Sequence, residues 1–198
     1  MSVSLARGWN ETLRDQLDFH YRQLFRPRLA GLTDAEYLWE PAPAAWSIRP
    51  RGTSTSPAPI GAGDFQRDDA PDEPDPAPVT TIAWRIAHIT VECLAIRTMN
   101  HFDGPPAHWE TWEYTDSADR ALAQMDAAYD AWSAGVDRLG EEGLARPVGE
   151  HEGPWAESPY ADLVLHINRE LIHHGAEICL LRDLYRATKT TPTHQETS

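Results

Sequence analysis

His166-Ile-Asn-Arg-Glu170-Leu-Ile-His173-His174-Gly-Ala-Glu177 lies near the end of the chain, inside a long unbroken helical pattern. Successive residues on a helix are about 100° apart. With Glu170 at zero, His174 falls at about +40°, Leu163 and Leu181 at about +20°, Ile167 at about +60° and Ile178 at about +80°. Glu170 and His174 therefore lie in the apolar stripe that a helix turns toward its core. Burying an unpaired charge is costly, so the pair needs a reason to be there. Two readings meet that need: a bound metal ion, or a buried Glu–His ion pair. Under either one, this helix packs its stripe against other helices.

Working outward, Ser158-Pro159 supplies a start signal for this fourth helix, with Pro at its first position, and the pattern runs to about Arg186. A polar tail is expected over 187–198. Upstream, Ser117 caps a third helix. Its residues Leu122, Met125, Tyr129, Trp132, Val136 and Leu139 step alternately by three and four, the seam of a bundle, and Gly140 stops it. Thr80 or Thr81 caps a second helix reaching about Phe102, with Trp84, His88, Val91, Ala95, Met99 and Phe102 on one face. A first helix is expected over 4–26, from Leu5, Trp9, Leu13, Leu17, Tyr21, Leu24 and Phe25, ended by Pro27. Thr33-Asp-Ala-Glu36 has the form of a capping box. Four long amphipathic helices without a convincing strand pattern predict an all-α fold, a four-helix bundle, with residues 1–198 as a single domain.

Residues 40–79 break the pattern. Nine prolines (41, 43, 50, 57, 59, 71, 74, 76 and 78) and an acidic run from Asp68 to Asp75 make this a long irregular surface excursion between helices one and two. It has too few large apolar residues for a core of its own. Trp46 and Ile48 are expected to tuck back onto the body.

A net charge of −14 argues against nucleic acid and against an anionic membrane surface. There is no apolar run of spanning length and no signal-peptide h-region, so a cytoplasmic location is expected. The two cysteines, Cys93 and Cys179, fall inside predicted helices without metal-binding spacing and read as small buried or interface thiols.

Bundle cores commonly house metal sites built from inward side chains on facing helices. His88 on helix two with Glu170 and His174 on helix four would make a two-histidine, one-carboxylate set. Three protein ligands leave a position open for water or substrate. Zinc, nickel and iron(II) all suit such donors, zinc being the first expectation. Glu92, His166, His173, Glu177 and Trp46 are candidates to orient a ligand or to touch substrate. His20, His101, His108, His151 and His194 read as surface or loop residues. Trp46, Trp109, Trp112 and Trp155 could wall a pocket or pack over the bundle ends.

Two segments, Trp84-Arg-Ile-Ala-His88-Ile and Glu170-Leu-Ile-His-His174-Gly-Ala-Glu-Ile178, resemble the DinB-like superfamily of metal-binding four-helix bundles. That superfamily includes the bacillithiol transferases and the metal-binding domain of mycothiol-dependent maleylpyruvate isomerase. The resemblance covers roughly 80–186. It implies divalent-metal binding by His88, Glu170 and His174. Many members carry histidine where this chain has Glu170; the maleylpyruvate isomerase branch is similar in having glutamate. The Pro-rich segment is not a general feature of the family.

Three functions follow as expectations. The resemblance implies a transferase or isomerase that uses a low-molecular-weight thiol such as mycothiol on a small-molecule substrate. The first alternative is a metal-dependent hydrolase with Glu92 or Glu177 as base. The second is a non-enzymatic metal-binding or stress-response module. Leu165, Ile172 and Cys179 recur every seven residues away from the site, so helix one, the 40–79 segment or a homodimer partner is expected to cover them.

Overall fold

The computed structural model describes residues 7–72 and 74–190. The expected helical start at 4–6, His194 and the tail from 191 lie outside those residues. Helix α1 comprises Trp9–Asp18, a π-helical stretch Phe19–Phe25 and a last turn Arg26–Arg28. A short helix α2 follows at Asp34–Tyr37. Helix α3 comprises Ile82–His88, a second π-helical stretch Ile89–Ala95, and Ile96–Phe102. Helix α4 is Ala118–Leu144 and α5 is Tyr160–Thr190. The chain is predominantly helical, and α1, α3, α4 and α5 pack together as the bundle.

The helix starts follow from their caps. The Thr81 side chain accepts from the Trp84 backbone N–H, and that of Ser117 accepts from Arg120 N–H. Thr33 and Glu36 form the complete capping box. In α4, Leu122, Met125, Tyr129, Trp132 and Val136 are all buried, so the seam faces the core. Gly140 takes φ +61°, where L side chains are strained, and breaks α4 before a final turn to Leu144.

In α1 the constant 100° step fails. Leu17, Tyr21 and Phe25 are buried as expected, but Trp9 and Leu24 are exposed. The π stretch, with its i→i+5 turns, rotates Leu24 outward. Pro27 does not end the helix, which continues to Arg28. The Arg26 N–H bonds to Tyr21 O, so the wider turn closes just before the residue that cannot donate. The tail expected from 187 is also helical through Thr190.

The 40–79 segment is ordered onto the body by a small antiparallel ladder that sequence alternation did not reveal. Strand β1 (Ile48–Pro50) pairs with β2 (Phe65–Arg67), Ile48 opposite Arg67. Three residues per strand are too few to show a period of two. Asp68 is buried and accepts from Ser47 N–H, Arg49 Nε–H and the Ser54 hydroxyl. Trp46 bridges to Thr80 beside the start of α3, and Ile48 is buried. Between α1 and α5, Arg182 is 1% exposed and bonds the Arg28 and Ala30 carbonyls and the Glu36 carboxylate. Leu165 and Ile172 are 50% and 46% exposed, so neither α1 nor the 40–79 segment covers them, whereas Cys179 is half-buried beside α1. Among the described residues, no helix is long and apolar enough to cross a membrane.

Candidate metal centre

Helices α3 and α5 bring His88, Glu170 and His174 together, each offering a donor atom within 4.8 Å of the others. Glu170 Oε2 is 3.4 Å from His174 Nε2, one helical turn away. The His88 and His174 rings meet edge to face at 4.8 Å between centroids. For a tetrahedral ion with ordinary zinc–nitrogen and zinc–oxygen distances, neighbouring donors stand about 3.4 Å apart. The Glu170–His174 separation is of that size.

The outer nitrogen of each histidine is engaged. His174 Nδ1–H donates to Glu177 Oε2 at 2.7 Å, and Arg85 Nη1 is paired with the same carboxylate oxygen at 2.9 Å. Arg85 also comes within 3.1 Å of His174 Nδ1. An ionised carboxylate can only accept, so the shorter Glu177 contact puts the proton on Nδ1, and Arg85 then bonds the carboxylate and not the ring nitrogen. The pattern repeats at the other histidine. His88 Nδ1–H donates to Glu92 Oε2, and Glu92 Oε1 accepts from Arg67 Nη2 at 2.6 Å. In the neutral form of either ring this leaves Nε2 as the nitrogen with the lone pair. Such carboxylate–histidine pairs fix the tautomer and orientation of metal-binding imidazoles.

The electrostatics agree. Burial pushes His174 below the ordinary histidine value, outweighing the upward pull of Glu177, so the ring is neutral at pH 7. Burial alone would raise the Glu92 carboxyl. The His88 hydrogen bond and the Arg67 guanidinium outweigh it and hold Glu92 at about 2. Burial likewise opposes ionisation of Glu177, but His174 and Arg85 bring it below the usual carboxylate range.

Other expected residues take different places. His173 is exposed and approaches Glu177 Oε1 at 3.3 Å. With His174 and Glu177 it forms a second group of donors. That group lies on one helix and uses carboxylate and imidazole atoms already paired with each other and with Arg85. His166 is half-exposed, 3.4 Å from Glu170 Oε1, and bonded to Arg169. Trp46, Trp84 and Trp109 line a cleft of about 590 Å³ that reaches His88 and Glu92. Trp84 stacks on the His88 ring at 5.5 Å. On the Glu170 side, Arg97, Trp155, His166 and Arg169 line a second cavity of about 430 Å³. Trp112 packs on the hydrophobic core. Two histidines read as surface residues are not so placed. The His101 side chain is 1% exposed and bonds Glu152 and Tyr160, and His20 stacks on Phe25.

A model of the DinB superfamily matches residues 59–178, more than half of the chain. The chain belongs to the DinB superfamily. The match includes His88, Glu170 and His174 and ends at Ile178, while α1 lies outside it. It also reaches back into the Pro-rich segment, as far as residue 59 and thus through β2. No curated protein and no solved structure matches the chain.

Sequence reasoning missed Arg67 and Arg85. Arg85 precedes His88 by three residues, and that spacing on one helix face was an available signal. Arg67 reaches Glu92 only through the fold of the 40–79 segment, and no local pattern marks it.

Proposed function

We propose that this DinB-superfamily protein binds a divalent metal through His88 Nε2, His174 Nε2 and a Glu170 carboxylate oxygen. We propose further that it serves a transferase or isomerase reaction on a small molecule, with a low-molecular-weight thiol such as mycothiol as cosubstrate. The observation that carries this reading is the duplicated arrangement of carboxylates behind the two histidines. Glu92 and Glu177 each engage the Nδ1 of one ring, which leaves Nε2 of both as the nitrogens free to bind, and Arg67 and Arg85 hold the two carboxylates. A lone Glu–His ion pair has no need of two such pairs converging from different helices.

The donor set suits zinc, with nickel or iron(II) as alternatives. When bound, such an ion lowers the pKa of a ligated thiol or water and acts as a Lewis acid. The chain supplies the rest. Trp46, Trp84 and Trp109 offer aromatic walls to a substrate next to His88. The neutral His174 keeps its Nε2 available without a proton being lost first.

Hydrolysis is the weaker reading. It needs a general base with a pKa near the working pH. Glu92 is held at about 2 and already accepts from His88 and Arg67. Glu177 is occupied by His174 and Arg85 in the same way.

The test is thiol consumption by metal-loaded protein, using mycothiol or bacillithiol with monochlorobimane as electrophile. Turnover that is lost in His88→Ala and on chelation is expected. Absence of turnover with every thiol, or full turnover in His88→Ala, refutes the reading.

A further inference from the structure

The cavity of about 430 Å³ on the Glu170 side has no role in the reading above. Part of its wall comes from the loop after α4. Gly149 and Gly153 take φ +88° and +53°, where L side chains are strained, and so shape the short turn Glu150–Trp155. The ends of this loop are tied together, Val148 N–H donating to Ser158 O at 2.9 Å. The turn sets Glu152 against Arg97 and His101, which stand four residues apart and share a face of α3.

Glu152 anchors this wall. Its side chain is 9% exposed, and its Oε1 lies 2.8 Å from His101 Nε2 and 2.9 Å from Arg97 Nε. Burial opposes ionisation of Glu152, but His101 and Arg97 outweigh it and bring it below the usual carboxylate range. The Arg97 guanidinium is thereby held by its Nε edge. Its Nη1 and Nη2 bond no other described residue, and the side chain is 26% exposed in the cavity wall. A fixed guanidinium with its terminal fork free matches the two oxygens of a carboxylate.

The rest of the lining suits the same ligand. Trp155, 69% exposed, and the buried Leu163 supply an apolar wall. His166 joins the cavity to the metal centre, since it lines the one and its Nδ1 lies 3.4 Å from Glu170 Oε1 in the other. Arg169 bonds that nitrogen at 2.7 Å and adds a second positive charge to the lining. The other lining carboxylate, Asp162, is exposed in the first turn of α5. The cleft on the His88 side differs in charge. It holds Asp69, Asp72 and Glu92, and its one arginine, Arg67, is already engaged by Asp69 and Glu92.

We infer that the cavity on the Glu170 side binds a small organic acid, its carboxylate on the Arg97 fork and its apolar body against Trp155 and Leu163. The inference rests on the proposed reaction and names the class of its substrate, which reaches the metal centre past His166.

The test is calorimetric titration of the zinc-loaded full-length protein with phenylacetate and with its uncharged counterpart phenylacetamide. Phenylacetate is expected to bind at least ~10-fold more tightly, the size of one hydrogen bond to a charged group. Arg97→Gln should abolish that preference while the protein keeps its zinc. Trp155→Ala, at an exposed position, should weaken acid and amide by a similar factor, so the cavity is tested even if Arg97→Gln fails to fold. Phenylacetate that binds no more tightly than the amide overturns the inference. So does a preference that survives Arg97→Gln, because the carboxylate then sits on the metal, and so does binding of both compounds unchanged by Trp155→Ala. None of these results touches the thiol reaction, which the neutral electrophile monochlorobimane reports separately. Loss of that turnover with the acid preference intact refutes the reaction and leaves the carboxylate site standing.

Discussion

Replacing Glu177 by glutamine tests the duplicated carboxylate arrangement most cleanly. Glu177 accepts from His174 Nδ1 at 2.7 Å and pairs with Arg85 at 2.9 Å. The amide keeps the shape of the carboxylate and removes its charge. It also offers either an oxygen or an NH₂ to the ring, so the Nδ1 tautomer is no longer enforced. The Glu177 and Arg85 side chains are 33% and 21% exposed, so solvent can take over much of the lost pairing and folding should suffer little. Outer partners of metal-binding histidines are worth about 10–100-fold in affinity, or roughly 1.4–2.7 kcal/mol. Glu177→Gln should therefore weaken zinc binding by that factor, measured by competition with a chromophoric chelator, at nearly unchanged thermal stability of the metal-free protein. Glu92→Gln should weaken zinc comparably through His88. It should also destabilise the metal-free fold more, because Arg67 is only 3% exposed and loses a partner. The two carboxylates act through different histidines, so the double variant should lose about the product of the two factors. Zinc affinity unchanged within about twofold in both single variants would refute the proposed roles of His88 and His174.

Four further outcomes are expected. Zinc at 100 times its dissociation constant should stabilise the fold by about 2.7 kcal/mol, read as a rise in melting temperature that EDTA reverses; no shift would count against a native-state site. Arg182→Ala removes the 2%-exposed partner of the Glu36 carboxylate, which keeps Arg186 and the Thr33 N–H, and should cost about 1.5–3 kcal/mol in urea unfolding, as for a lost hydrogen bond to a charged group; a loss under ~1 kcal/mol would mean that the pair does not anchor α2 to α5. Burial opposes ionisation of Glu36, but the Thr33 N–H, Arg182 and Arg186 outweigh it and hold its pKa below 4.5. Its stabilisation is therefore full above that value and is lost as pH falls through the folded-state pKa, so the gap between wild type and Glu36→Gln should shrink from pH 7 to acid; a constant gap contradicts this. If two copies pair through the exposed Leu165 and Ile172, as we propose, light scattering gives twice the 22.2 kDa chain mass and Ile172→Glu reduces it to one; a wild-type mass of one chain refutes the pairing.

The parts of this fold legible in the sequence are those governed by one constant period. The α4 seam is such a case: its three-and-four spacing lands on residues that are buried in the bundle. Glu170 and His174 are another, because α5 runs as α-helix past both and the 100° step holds. Where α1 and α3 widen into π turns, the same arithmetic misplaces residues. Leu24 is sent inward when it faces out, and Cys93 is sent away from His88 when it lies against it. Nothing local announces a π turn, since it reflects packing over the whole length of a helix. Arg67 was hidden for a different reason. It reaches Glu92 from a segment whose composition reads as loop, and whose order comes from the buried Asp68 network and a three-residue ladder. Helix periodicity thus yields the three donors that face one another across the bundle. Arg67, which would help to hold them from the 40–79 segment, becomes visible only once the chain is folded. That hold should accordingly be sensitive to perturbation of the 40–79 segment. Deleting the Asp68 anchor by Asp68→Ala should loosen Arg67 and with it the Glu92–His88 pair, lowering metal affinity from a residue that touches none of the three donors. An Asp68→Ala chain that binds zinc as tightly as wild type would mean that the 40–79 segment merely covers the site and does not help to build it.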